Sequence, residues 1–280
     1  KTEEFKMKAF KLGIKVAAVA GLTALLSISA SAAIKDSKHD LRGTASTVNG
    51  GTKIENATEI CAFCHTPHGS SAATEAPLWN KVLAAGVAST YNGYESSTLD
   101  GAVLLAGSPS LACLSCHDGS QAMNTVINAP SVPGNYNYAA GGASYGTSST
   151  AYKMTEAVAN LTKDLRNDHP VAIPYAGGGW SVWAGTTGSQ STFVAAANDV
   201  DFLMPNKATI GTEVKWWVEA NGDTDTRTKT DLILYNRAGG EAVAYVECAT
   251  CHDPHAGESQ SFLRMGSNDE SKVCLACHIK

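Results

Sequence analysis

The chain has no cysteine outside four C-x-x-C pairs, holds only 8 histidines in 280 residues, and is 7% aromatic. The first absence excludes a lone nucleophilic thiol. Scarce aromatics, 26 Gly and many Ser, Thr, Ala and Asn leave long stretches with neither helical nor strand periodicity, so a conventional side-chain core is thin and something else must fill it. An excess of basic charge is also lacking: the formal charge is −5. Nucleic acid is therefore not expected as a partner, because neutralising phosphates needs a basic face. At this length one large domain or two modest ones are both open.

No apolar run reaches the roughly 20 residues of a membrane span. The longest, Val16 to Ile28, follows Lys8, Lys11 and Lys15 and precedes the small-residue site Ala30-Ser31-Ala32, the pattern of a cleaved export signal. Residues 1–6 read as leader sequence before a start at Met7, residues 7–33 as the signal peptide, and the mature chain as free of transmembrane segments. Loss of residues 1–33 removes five Lys and two Glu and moves the charge to −8.

All 8 Cys precede a His in the same way: Cys61-Cys64-His65, Cys113-Cys116-His117, Cys248-Cys251-His252 and Cys274-Cys277-His278. This is the attachment signature of c-type haem, in which two thiols form thioethers and the adjacent His is the proximal iron ligand. Zinc knuckles or disulfides are the bland alternative, but His follows a given pair by chance about 3% of the time, so four in four is on the order of one in a million. Four covalently attached haem c groups are expected. His39, His68, His169 and His255 remain, one for each iron's sixth position. Met123, Met154, Met204 and Met265 share no pattern and read as packing residues.

The motifs come in two kinds. Cys61 to His68 and Cys248 to His255 both read C-x-x-C-H-x-P-H, while Ser110 to His117 and Ser271 to His278 both read S-x-x-C-L-x-C-H. An upstream His stands in His39-Asp-Leu and in Asp168-His-Pro-Val, so a duplicated di-haem unit is expected, with halves 34–150 and 151–280. The second half carries an insert at about 175–247. Within it, Glu213 to Glu219 and Thr230 to Tyr235 flank a turn at Asn221 to Asp225, and Ala242 to Val246 reads as a further strand. Ala157 to Leu165 reads as a short helix. Trp180, Trp183, Trp216 and Trp217 read as packing rather than a substrate box.

His68 and His255 cannot reach the far side of their own motif's haem, since three residues of chain span about 10 Å. Each must serve a different haem, with Pro67 or Pro254 holding the two imidazoles apart.

The four motifs, both C-x-x-C-H-x-P-H stretches, His39-Asp-Leu, Asp168-His-Pro-Val and Phe262-Leu-Arg264 resemble the exported tetrahaem c-type cytochromes of metal-reducing bacteria, within them the OmcE-type filament-forming (nanowire) group. The resemblance implies a mostly irregular chain with short helices and a few β-hairpins wrapped round stacked haems, all irons bis-His ligated. It also implies that His68 ligates a haem of a neighbouring copy. The partners implied are other copies of the chain, redox cytochromes and extracellular acceptors such as metal oxides, at an extracellular, cell-surface or periplasmic location. Three functions stand at this point: an extracellular electron conduit, a discrete tetrahaem carrier, and a multihaem reductase. A reductase predicts an iron lacking a distal His or an altered attachment motif, and neither is seen in the sequence. An intact mass from the native host should lack residues 1–33; retention of Lys1 contradicts the leader assignment.

Overall fold

The computed structural model describes residues 34–43, 53–54, 57–72, 74, 76–83, 86–97, 99, 108–129, 139–140, 152–155, 158–178, 199, 201–210, 213–221, 227–237, 240–257, 259 and 261–279. The leader, the signal peptide, Trp180 and Trp183 lie outside them. Among the described residues of the first half, the regular elements are a 3-10 turn (Val87–Thr90), the helix α1 (Ser108–His117), and the parallel pair β1 (Thr125–Val126) and β2 (Ala139–Ala140).

The second half is built on an antiparallel sheet. Its strands are β3 (Ile173–Pro174), β4 (Asn206–Ile210), β5 (Glu213–Val218), β6 (Leu232–Arg237) and β7 (Gly240–Val246), in the spatial order β3-β7-β6-β5-β4. Val214, Trp216, Trp217, Val218, Ile233 and Tyr235 supply the β-branched and aromatic side chains that favour a pleated, buried surface. The hairpin expected around Asn221 is present, with Trp216 opposite Leu234 and Val218 opposite Leu232. Asp231 closes its base by accepting from the backbone N–H of Ala220 and Thr228. Strands β3 and β4 extend the sheet beyond what the sequence signalled.

The sheet positions the last two motifs. Strand β7 runs directly into the short helix α2 (Cys248–Cys251), and β3 pairs Ile173 with Val246, two residues before Cys248. Ahead of β4, Leu203 N–H donates to the Cys277 carbonyl at 2.8 Å, and the Tyr175 hydroxyl donates to the Leu203 carbonyl at 2.7 Å. A final helix, α3 (Lys272–Leu275), carries Cys274.

The expected helix over Ala157 to Leu165 does not form in its described part. Thr162 has φ +60°, and the backbone partners are distant segments: Leu161 N–H donates to His117 and Leu165 N–H to Asn92. Pairing outside the segment replaces the i to i−4 ladder. Among the described residues, the buried apolar side chains form three clusters. Trp216, Val218, Leu232, Leu234 and Tyr175 make one, with Cys277, Met204 and Met265 against it. Val87, Tyr91, Leu111, Leu114 and Leu165 make another, and Leu41, Ile54, Phe63 and Met123 a third, with Cys64, Cys116 and Met154 alongside. The methionines are therefore packing residues, and so are Trp216 and Trp217.

Trp216 is 1% exposed at the centre of the largest cluster. Trp216→Ala should destabilise the protein by about 3–5 kcal/mol, read as a lower denaturant midpoint; a shift under about 1 kcal/mol would contradict this packing.

Candidate haem-binding sites

Three motifs are held by the same backbone arrangement. At the first, Thr66 N–H donates to the Leu78 carbonyl and Asn80 N–H returns to the Cys64 carbonyl, both at 2.8 Å. At the third, Asp253 N–H donates to Phe262 at 2.8 Å and Arg264 N–H to Cys251 at 2.9 Å. At the fourth, Ile279 N–H donates to Asp201 and Leu203 N–H to Cys277, both at 2.8 Å. Each clasp sets the motif histidine in an antiparallel bridge: His65 with Trp79, His252 with Leu263, His278 with Phe202. The second motif uses a variant, in which Leu161 N–H donates to the His117 carbonyl at 2.7 Å.

The clasp also orients the imidazole. His65 Nδ1 lies 2.7 Å from the Pro77 carbonyl, His117 Nδ1 2.8 Å from Ala159, and His252 Nδ1 2.7 Å from Ser261. A carbonyl accepts only from an N–H, so it fixes the tautomer and leaves Nε2 with its lone pair for a metal. At the first and third sites two successive carbonyls face the motif, whereas a regular strand sends successive carbonyls to opposite sides. Leu78 and Phe262 make this possible at φ +55° and +56°, a left-handed conformation unusual for bulky residues and held by the surrounding bonds.

Two pairs of histidines face one another. His65 and His255 have ring centroids 6.1 Å apart with planes at 11°, and His117 and His39 have centroids 6.1 Å apart with planes at 75°. A metal–nitrogen bond of about 2 Å and about 1 Å more to the ring centre on each side place two axial imidazoles about 6 Å apart. The spacing thus leaves room for an iron between each pair. His39 is kept neutral, its pKa pushed down to about 4 by burial and then by His117, and neutral imidazole is the form that binds metal. His68 and His169 are exposed, and His169 Nδ1 lies 3.0 Å from the Pro170 carbonyl. Nothing described brings either to His252 or His278.

Neighbouring side chains support the distal residues. His255 Nδ1 lies 3.3 Å from Asp253 Oδ1, and Asp253 Oδ2 lies 3.5 Å from Arg264 Nη1. That hydrogen bond holds the Asp253 carboxyl down at about 2. The loop bearing His39 is fixed by Asp40, wholly buried, whose carboxylate accepts from Arg42 Nε at 2.8 Å and Nη2 at 2.6 Å. The same fork recurs between Asp164 and Arg166 at 2.7 and 2.6 Å. Asp-Leu-Arg thus recurs at 40–42 and 164–166, a visible sequence signal near His39 and His169.

The cysteines form a series. Cys64 and Cys116 pack on one cluster, and the Cys64 thiol is pushed up to about 12 by burial and by Cys116. Cys113 and Cys248 share a hydrogen bond where α1 meets α2. Cys277 is pushed up to about 12 by burial and by Cys251. Large apolar side chains left exposed among the described residues are Leu78, Val158, Leu203, Leu275 and Ile279. Each lies within or beside a motif or its clasp, where an apolar macrocycle would have them as neighbours. No three of His, Cys, Asp and Glu converge as a metal cage among the described residues.

Residues 241–280 match the family of the doubled CXXCH motif. A search of curated proteins finds no match. The motifs define a class: they indicate covalently bound c-type haem and point to haem-based electron transfer in general. No helix among the described residues is long and apolar enough to cross a membrane.

Asn80 ties the first motif down: it is 1% exposed, its Nδ2 donates to the Ala62 and Asn128 carbonyls at 2.6 and 3.0 Å, and its Oδ1 accepts from Asn128 N–H at 2.9 Å. Asn80→Ala should cost about 1–3 kcal/mol by stranding these groups, measured by denaturant unfolding of the haem-loaded protein; an unchanged midpoint contradicts the hub role.

Proposed function

We propose that the chain transfers electrons through four bis-His c-type haems, as the repeating subunit of an extracellular filament rather than as an enzyme. The observation that carries this reading is the 6.1 Å spacing of two imidazole pairs, His65 with His255 and His117 with His39. Bound haem supplies a one-electron change at iron, and a centre already six-coordinate has little to reorganise and no open position for a substrate.

Cys61, Cys64, Cys113, Cys116, Cys248, Cys251, Cys274 and Cys277 are the attachment residues, with His65, His117, His252 and His278 as proximal ligands. His255 is the distal ligand opposite His65, and His39 opposite His117. His169 and His68 are left for the irons of His252 and His278. The contacts Cys64 with Cys116, Cys113 with Cys248, and Cys251 with Cys277 favour a spatial order that follows the sequence. His68 occupies the same place in its motif as His255 but stands exposed, with no described imidazole opposite it. That is the arrangement expected of a ligand given to a neighbouring copy. Redox cytochromes and extracellular acceptors such as metal oxides are the other partners of this reading, which requires export.

Ring orientation governs the splitting of the iron d orbitals, so electron paramagnetic resonance should show a rhombic low-spin signal from the near-parallel pair and a large-gmax signal from the near-perpendicular one. His255→Ala should abolish the first and His39→Ala the second, each leaving high-spin iron; unchanged spectra contradict the pairing. Protein sheared from cells should appear as filaments by electron microscopy and lose them in His68→Ala. Single particles alone would favour a discrete periplasmic or cell-surface carrier.

A further inference from the structure

The three matching clasps differ in charge at one position. Counting from the carbonyl that receives the residue after histidine, the third residue onward is Lys81 at the first site, Met265 at the third and Met204 at the fourth. Met265 and Met204 are partly buried and pack on the apolar cluster that includes Cys277. Lys81 is 0% exposed. Its Nζ donates to the carbonyls of Met123 and Thr125 at 2.9 Å each, and of Ala122 at 3.5 Å. A buried ammonium persists only where its donors are taken up, as three carbonyls do here. The charge lies next to the clasp of this motif, because Lys81 follows Asn80, whose N–H donates to the Cys64 carbonyl at 2.8 Å.

We infer that Lys81 is a potential-setting residue: a fixed cation that makes the centre attached at Cys61 and Cys64 easier to reduce than the methionine of the sister sites would. The inference rests on the haem reading of that motif. Reduction adds one negative charge, which a nearby cation stabilises. A unit charge about 10 Å away at an effective dielectric of about 20 shifts a one-electron equilibrium by about tenfold. Burial removes Lys81 from the salt screening that weakens surface charges. Asp253, beside His255, acts in the opposite sense on the same centre and is untouched by a change at Lys81.

The test is a redox titration of the haem-loaded protein followed by optical spectroscopy. Lys81→Met copies the sister sites, and Lys81→Gln keeps a donor for the carbonyls without the charge. Each should lower one potential at least about tenfold in equilibrium constant, which is 59 mV for one electron, whereas Lys81→Arg should leave it in place. A fully loaded neutral variant with every potential unchanged overturns the inference. Should neither neutral variant load haem, Met265→Lys must raise one second-half potential, and its failure to do so overturns the inference equally. The mass of the Cys61–Cys64 peptide in the unaltered protein reports separately on the haem reading.

Discussion

The order of three motifs depends on a backbone carbonyl that receives the Nδ1 proton of the motif histidine, at His65, His117 and His252. The same local bonding orients His65 and His252 and sends their remaining nitrogens outward from the clasp. The clasp needs no particular side chain, only a segment that presents its carbonyls at the right place. Segments as different as Pro77 to Asn80, Ser261 to Arg264 and Asp201 to Leu203 can therefore do one job. This is also why a chain with small, separate apolar clusters can hold its motif histidines in set positions: order is supplied motif by motif, from hydrogen bonds, not from one continuous core.

The two halves solve the problem of support differently. In the first, Asn80, Asn128 and Lys81 knit irregular segments together with side-chain to backbone bonds. In the second, a five-stranded sheet does the same, delivering Cys248 from one strand and backing Cys277 from the segment before another. Between them, Ser110 on α1 donates to Glu247 and accepts from the Cys248 N–H, a short buried bridge at the start of each attached helix.

The haem-attachment motifs were legible in the sequence because the C-x-x-C-H spacing is itself the chemical signal. The hairpin at Asn221 was legible from turn residues between β-branched and aromatic runs. The clasps were not, because they are made by main-chain groups and by left-handed residues at Leu78 and Phe262 that no local propensity favours. The helix read over Ala157 to Leu165 failed for a related reason: its backbone is claimed by His117 and Asn92, far away in sequence. The Asp-Leu-Arg repeat is visible in the sequence, but only the structure shows its two carboxylate–guanidinium forks.

The direction from which each clasp arrives has a consequence for how the chain comes into being. His65, His252 and His117 wait for carbonyls 12, 9 and 42 residues further on. As the polypeptide is made from its amino end, those three motifs remain unlatched until the following residues have emerged. The fourth motif meets Asp201 and Leu203 already in place. Its thiols have the shortest interval of free access, so the order of emergence makes the last attachment the one most exposed to premature closure.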